Sequence, residues 1–434
     1  MTLHVAIIGA GPAGFYAAEA LATKGDDVMV DLIDRLPTPH GLIRSGVAPD
    51  HQTTKRVAKK YDQTAARDNV RYVGNVALGR DVTMDELRDL YDAVVIAFGA
   101  EGDRPMGVPG EDKEGVLGSF AFVGWYNGHP DFVDLDIDLN VSSVAVIGNG
   151  NVALDCARLL ARTEDEMKAS DLTDEAGEVL FNSAVTDVHL IGRRGPVEAS
   201  FSIAEMREMG ELQRGISLVH DDQIPESLPE DMDPKEARAR KAVLEVLQSF
   251  RGNRRDAAPV GVHFEFFLRP VEILGDDRVT GIRVERTRLE DGRAVGTGEI
   301  FDIPCGLVIS CIGYVSQPVD GLPMEYGKVT NDEGRVAPGV YVVGWAKRGP
   351  SGTIGTNRPD AQDVVALLLE DMAEASGKTG GAGLDALLGE RGIRRVTYEN
   401  WLQIDAAEQD RAGPEAPRRK FIKIPDMLSV VDES

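Results

Sequence analysis

Apolar positions follow two rhythms along this chain. Short unbroken runs read as buried strands: His4 to Ile8, Val28 to Ile33, Ala93 to Ala97, Val144 to Ile147, Asp187 to Ile191, Leu307 to Ile312 and Val340 to Val343. Two of them, Val5-Ala-Ile-Ile and Val144-Ala-Val-Ile, run into glycine-rich turns and then into amphipathic helical stretches, Phe15 to Thr23 and Leu154 to Thr163. Strand, turn and helix in that order open a βαβ unit, so the pattern predicts an α/β fold with parallel sheets. His263–Leu268 and Val279–Arg286 read as antiparallel strands around the turn at Gly275-Asp-Asp277. Pro225 to Arg255 reads as a turn and a charged helix. Ser376 to Gly383 is the most linker-like stretch, followed by two short helices and a basic tail, Arg418 to Lys423.

The two turns carry the chemistry. Gly9, Gly11 and Gly14 form G-x-G-x-x-G between strand and helix. The first glycine makes the tight turn, the second lets the backbone approach a pyrophosphate, and the third lets helix pack on strand. The helix N-terminus then offers free N–H groups to phosphate. Asp34 ends the next strand, twenty residues on, where a ribose-binding carboxylate belongs. In the second turn, Gly148-Asn-Gly150-Asn-Val-Ala153, alanine replaces the third glycine. Its next strand ends in Arg193-Arg194 instead of an acid, and guanidinium groups suit a 2′-phosphate, which favours NADP over NAD. Two dinucleotide turns, one for NADP, make FAD the natural companion and point to a pyridine-nucleotide–flavin reductase.

Composition narrows the choice. The 434 residues suggest roughly two or three domains. The charge sum, 47 Lys+Arg against 72 Asp+Glu, gives −25 and argues against a generic nucleic-acid binder or a polybasic membrane-surface protein. Cys156, Cys305 and Cys311 form no C-x-x-C and no metal-ligand cluster, so neither a disulfide framework nor a protein-bound metal is expected. No apolar run approaches the roughly 20 residues needed to span a bilayer, and no signal-peptide pattern opens the chain. The expected location is cytoplasmic.

These turns, together with Gly41-Leu-Ile-Arg-Ser-Gly-Val-Ala-Pro-Asp-His51, Gly192-Arg-Arg-Gly-Pro-Val197, Phe201-Ser-Ile-Ala-Glu-Met-Arg-Glu208 and Gly344-Trp-Ala-Lys-Arg-Gly-Pro-Ser-Gly-Thr-Ile-Gly-Thr356, resemble the adrenodoxin-reductase-type ferredoxin–NADP(+) reductases. The resemblance implies two Rossmann-like domains, with an NADP domain (105–312) inserted into an FAD domain (1–104 and 313–434). It implies FAD contacts from Gly9, Gly11, Ala13, Gly14, Asp34, Leu42, Val76, Trp345, Gly352, Thr353 and Ile354. Asn149, Gly150, Asn151 and Val152 should lie along the NADP pyrophosphate, Arg193 and Arg194 on the 2′-phosphate, and Glu205 on the adjoining ribose, with Gly352 near the nicotinamide. His51 and Glu208 occupy the family's active-site pair, where local charge and proton management are the implied roles. The implied reaction is hydride transfer between nicotinamide C4 and flavin N5, then single-electron transfer to an acidic ferredoxin. Two departures stand out: Asp34 where the family usually has Glu, and His40 where an aromatic is common.

Three competing readings share parts of this pattern. Flavin disulfide reductases need a redox C-x-x-C, which is missing. The electron-input subunit of glutamate synthase carries an N-terminal cysteine-rich segment, and no cysteine precedes the first strand here. A non-catalytic NADP sensor would not need Asp34 or an intact 344–356 loop. Two basic clusters suggest carrier docking: Arg44, Lys55, Arg56, Lys59 and Lys60, and the segment Lys235 to Arg255, where seven basic residues face two acidic ones.

Overall fold

The computed structural model describes residues 2–24, 27–230, 232–372 and 377–432. The chain divides into two compact units. The first comprises Met1–Gly102, Asn127–Val133 and Tyr314–Ser434, and the second Asp103–Tyr126 and Asp134–Gly313.

The first unit is built on a six-stranded sheet. Its order runs Arg335–Ala337, Val340–Val342, Ala93–Ile96, Leu3–Ile8, Val28–Ile33, Val70–Val73. All neighbours are parallel except the edge pair 335–337 and 340–342. The near-continuous apolar strands reflect burial on both faces. On one face the helix Pro12–Ala22, started by proline at its first position, packs Phe15 and Leu21 into a core with Val364, Val365 and Leu368 of the helix Asn357–Asp371. On the other face Leu87, Tyr91, Leu384 and Leu388 cover Ile8, Val94 and Ile96. Each such fully buried side chain contributes roughly 1.5–3 kcal/mol.

The second unit has its own six-stranded sheet, ordered Val116–Gly118, Leu307–Ser310, Ser143–Ile147, Asp187–Gly192, Val260–Phe266, Gly215–Val219, and parallel throughout. A three-stranded antiparallel sheet, Leu268–Leu274, Gly281–Glu290 and Arg293–Pro304, shares a core with it through Ile147, Ile191, Leu268, Ile282 and Val284.

Four expectations need revision. His263–Leu268 is not one arm of the antiparallel hairpin: residues 260–266 form an interior parallel strand, and Leu268–Leu274 is the arm paired with 281–290. The positive φ of Phe267 (58°) turns the chain between the two strands. The linker-like stretch ends early, because a helix begins at Gly381, while Ser376 lies outside the described residues. Three helices follow, not two: Gly381–Glu390, Tyr398–Asp410 and Ile424–Asp432. The basic segment before the last of them is no free tail. Lys420 is 6% exposed and donates to the carbonyl and side-chain oxygens of Asn127 at 3.1 and 3.2 Å.

That lysine also helps explain why 127–133 belongs to the first unit, a division that differs from uninterrupted domains at 1–104, 105–312 and 313–434. Asn127 is held by Lys420, and Asp131 takes a two-point ion pair from Arg35 at 2.7 and 3.2 Å. Among the described residues, no helix is long and apolar enough to cross a membrane.

Candidate functional site

In the first unit the chain folds back on the Gly9–Gly14 turn from three directions. Gly9 has φ +112°, and a Cβ there would lie 2.7 Å from the carbonyl oxygen of Ala97. A Cβ on Gly14 would fall 1.9 Å from the Gly9 oxygen, so this third glycine is required by packing alone. Gly11 meets Gly41, whose φ of +50° starts the short helix Leu42–Ser45 and places Leu42 beside the turn. The loop after the last parallel strand arrives through Gly344 (φ +70°), where a Cβ would lie 2.5 Å from that of Ala13.

Asp34 sits at the end of the second strand, as its position predicts. Its Oδ2 accepts the Ala10 N–H at 2.7 Å and its Oδ1 the Leu36 N–H at 2.9 Å. Burial raises its carboxyl above the ordinary value, against the lowering pull of those two N–H groups. Val76, 1% exposed, donates its N–H to the Asp34 carbonyl at 2.9 Å. The 344–356 loop is held by Asp360, whose Oδ2 accepts the Gly344 N–H at 2.6 Å and which pairs with Lys347 at 3.1 Å. Trp345 donates its indole N–H to Ser351 at 3.2 Å. Gly349 and Gly352 have φ of +83° and +82°, and the Thr353 N–H donates to Thr356 Oγ1 at 3.0 Å ahead of the turn Ile354–Thr356. His51 occupies the N-cap position of the four-residue helix Gln52–Lys55 and is half-buried.

The second unit repeats the first turn with different polar chemistry. Gly148 (φ +149°) turns the chain against Cys311, and Gly150 opens the helix Asn151–Ala161 with no heavy atom within 4 Å of where a Cβ would stand. Asn151 Oδ1 accepts the Ser202 N–H at 2.8 Å, which ties the turn to the helix Ile203–Glu208. Val152 follows in the first turn of its helix. Arg193 and Arg194 are exposed, but their backbone is pinned: Thr287 Oγ1 donates to the Arg193 carbonyl at 2.7 Å, and Phe267 N–H to that of Arg194 at 3.3 Å.

Two buried acceptors beside this turn, Asn149 Oδ1 and Glu205 Oε2, have no hydrogen-bond partner among the described residues. Leaving such atoms unsatisfied costs about 1–3 kcal/mol each, so they call for donors from outside the chain. A ribose hydroxyl is a donor of the right kind for Glu205, and the residues present therefore fit NADP. Asp34, with lone pairs to spare after accepting two N–H bonds, fits the ribose of the other dinucleotide.

Glu208 shows a contact that sequence reading missed. Its Oε2 lies 3.0 Å from Nη1 of Arg158 and 3.7 Å from Nη2 of Arg162, and Arg158, fully buried, also reaches Asp155 Oδ1 at 2.8 Å. The signal was an Asp and an Arg three apart on an otherwise apolar helix, a spacing that places them on one face.

The basic clusters fare differently from expectation. Arg44 is spent on a two-point pair with fully buried Glu408 at 2.5 and 2.8 Å, Lys55 is buried, and Lys60 pairs with Glu19 at 2.8 Å; Arg56 and Lys59 are the exposed members. On the helix Pro234–Ser249, Lys235, Arg238 and Lys241 are exposed, whereas Arg240 donates to the Ala199 carbonyl. Farther along, Arg251 and Arg255 pair with Glu226 and Asp187.

Two dinucleotide-type α/β units, one with an acid and the other with an arginine pair after its second strand, define a two-nucleotide oxidoreductase. Residues 3–227 match the pyridine nucleotide-disulphide oxidoreductase family. The mitochondrial NADPH:adrenodoxin oxidoreductase of Arabidopsis thaliana is 41% identical, over 98% of this chain and 95% of its own length, and the human one is 40% identical over 99% and 92%. NADPH-ferredoxin reductase FprA of Mycobacterium tuberculosis is 37% identical over 98% of each chain. The structure of FprA in complex with NADPH superposes with a TM-score of 0.94 at 36% identity, covering 99% of this chain and 100% of that one. The chain belongs to the adrenodoxin-reductase-type NADPH–ferredoxin reductases within the pyridine nucleotide-disulphide oxidoreductase family.

Proposed function

We propose that this chain is a flavoprotein reductase that moves electrons between NADPH and a ferredoxin-type iron–sulfur carrier, with FAD held by the first unit and NADP by the second. The observation that carries the reading is the contrast after the two second strands: Asp34 on one turn, Arg193 and Arg194 with the unpartnered acceptors Asn149 and Glu205 on the other. FAD, when bound, supplies the exchange between a two-electron nicotinamide and a one-electron carrier.

The chain's own groups position and discriminate. Gly9, Gly11, Ala13 and Gly14 give a pyrophosphate bare backbone, Asp34 accepts from the ribose, and Leu42, Val76, Trp345, Gly352, Thr353 and Ile354 contribute the remaining flavin contacts. Asn149, Gly150, Asn151 and Val152 line the second pyrophosphate, Glu205 takes the adjoining ribose, and Arg193 and Arg194 select the 2′-phosphate. Gly352, without a side chain, leaves room for the nicotinamide. His51 manages charge and protons near the reacting rings. Glu208 does so with a carboxylate that Arg158 fixes in one rotamer.

The carrier is an acidic ferredoxin in the cytoplasm, and it docks on exposed cations, with Lys235 and Arg238 the leading pair. The test is rapid mixing of the purified yellow protein with NADPH or NADH, followed by reduced-flavin reoxidation with added ferredoxin. Fast bleaching by NADPH alone and ferredoxin-dependent recovery are expected. A colourless protein, or no acceleration by any of several ferredoxins, would overturn the reading.

A further inference from the structure

The parallel sheet of the second unit carries a polar cluster that the cofactor chemistry does not use. His189 and His263 are register partners on adjacent strands, and their rings stack at 4.6 Å with 15° between planes. Side chains two residues apart share a face of a strand, so Asp187 joins His189, and Glu265 joins His263, on that surface. Glu265 bridges two histidines: its Oε1 lies 3.3 Å from His189 Nδ1, and its Oε2 lies 2.9 Å from Nε2 of His220, just after the neighbouring strand. Asp187 Oδ1 lies 2.7 Å from His263 Nε2 and 2.7 Å from Arg255 Nε. Three of the chain's seven histidines therefore meet two carboxylates on one patch of sheet. Dinucleotides bind outside the carboxyl ends of such strands, where Arg193 and Arg194 stand, whereas His189 and His263 sit mid-strand.

We propose that His189, His263 and Glu265 form a binding site for a divalent transition-metal ion of the zinc class. One donor atom from each lies within 4.8 Å of the others. A tetrahedral zinc with bonds of about 2.0–2.2 Å sets its ligands roughly 3.3–3.5 Å apart, so binding would draw the donors together by at most about 1.5 Å. Imidazole pairs with such ions, while an all-oxygen site would suit calcium or magnesium. The surroundings supply what a metal-bound histidine needs. Asp187 engages one ring nitrogen of His263 and leaves the other for the ion, and Arg255 fixes Asp187 in turn. His220 orients Glu265 in the same way, and it is half exposed, so the patch is reachable from solvent. Rigid parallel strands preorganise the two histidines, and the ion would clip adjacent strands of the unit together.

The test is equilibrium dialysis of the flavin-loaded protein against zinc, with metal counted per chain by mass spectrometry and melting followed in parallel. One zinc per chain is expected, with a melting temperature that rises with zinc concentration. His189→Gln with His263→Gln should remove both the bound zinc and the zinc-dependent rise. Asp187→Asn should weaken binding by about 10–100-fold. NADPH–ferricyanide activity should persist in these variants and report that they are folded. Equal zinc retention by the double variant, or none by the unaltered protein, would overturn the proposal.

Discussion

The carboxylate of Asp34 closes onto the first glycine turn by accepting the N–H of Ala10 at 2.7 Å. One side chain thus orders the turn and keeps acceptor lone pairs free for the proposed ribose contact. Removing it in Asp34→Ala should cost both functions: retention of FAD through gel filtration, read from the flavin-to-protein absorbance ratio, should fall at least about tenfold, as expected for the loss of charged hydrogen bonds worth about 1.5–3 kcal/mol each. Asp34→Glu keeps the carboxylate with one more methylene of reach and should retain flavin. Equal flavin content in the alanine variant would remove Asp34 from the site.

Arg193 and Arg194 have a fixed backbone and exposed guanidinium groups, so replacing them should change recognition without unfolding the unit. Arg193→Ala with Arg194→Ala should lower kcat/KM for NADPH by about 10–100-fold, as charge-assisted bonds to the 2′-phosphate are lost. NADH, which lacks that phosphate, should be used within about threefold of the original rate. Parallel losses with both nucleotides would mean that the pair acts on structure and not on selectivity.

Glu408 makes the acid limb of stability specific. It is fully buried. Burial pushes its carboxyl up, but the Arg44 charge and hydrogen bonds, the Phe421 N–H and Arg418 together outweigh this and hold it below its ordinary value. A depressed folded-state value means stabilisation that is complete above the unfolded value of about 4.3 and is lost as pH falls through the lower one. Glu408→Gln should destabilise the protein by about 3–5 kcal/mol near pH 7, because Arg44 keeps its charge without a counter-charge. The gap between the two proteins in urea denaturation should narrow below about pH 4. A pH-independent gap would sink this account.

That ion pair also marks where reading the chain alone stops. The two turns, Asp34 and the arginine pair were legible because a βαβ unit fixes their order along one short stretch: Asp34 follows Gly9 by 25 residues, and Arg193 follows Gly148 by 45. Arg44 read as a free cation in a docking cluster because its partner lies 364 residues away. The strand at 260–266 was misassigned for a related reason: alternation marks a strand but does not say whether its neighbours run parallel or antiparallel. Arg158 and Glu208 lie 50 residues apart in the chain and meet only in the fold.

On a chain with a net charge of −25, an acidic carrier approaches against the overall field. Docking then depends on local cations that are not already neutralised, and Lys235 and Arg238 meet that condition better than Arg240 or Lys60. Lys235→Glu with Arg238→Glu should raise the ferredoxin KM several-fold while NADPH–ferricyanide turnover is kept. Added salt should weaken ferredoxin reduction by the original protein and much less by the variant, since screening is substantial beyond about 10 Å at 0.1 M. Unchanged ferredoxin KM would remove this helix from the docking surface.

The third glycine of the first turn, Gly14, and the second glycine of the second turn, Gly150, make opposite predictions although the motifs look alike. A methyl group at position 14 would sit 1.9 Å from the Gly9 oxygen and 3.2 Å from Leu32 Cδ1, so Gly14→Ala must push helix from strand. Overpacking of this kind costs typically about 1–3 kcal/mol, and the variant should melt earlier whether or not flavin is added. At Gly150 the backbone is extended, with φ −129°, and a methyl group meets nothing within 4 Å. Gly150→Ala should therefore leave stability within about 0.5 kcal/mol. Its cost should appear only when a pyrophosphate needs that space, as a raised NADPH KM with unaltered flavin content. A variant that melts early but binds NADPH normally would show that Gly150 serves packing, and the second turn would lose its role as a phosphate cradle.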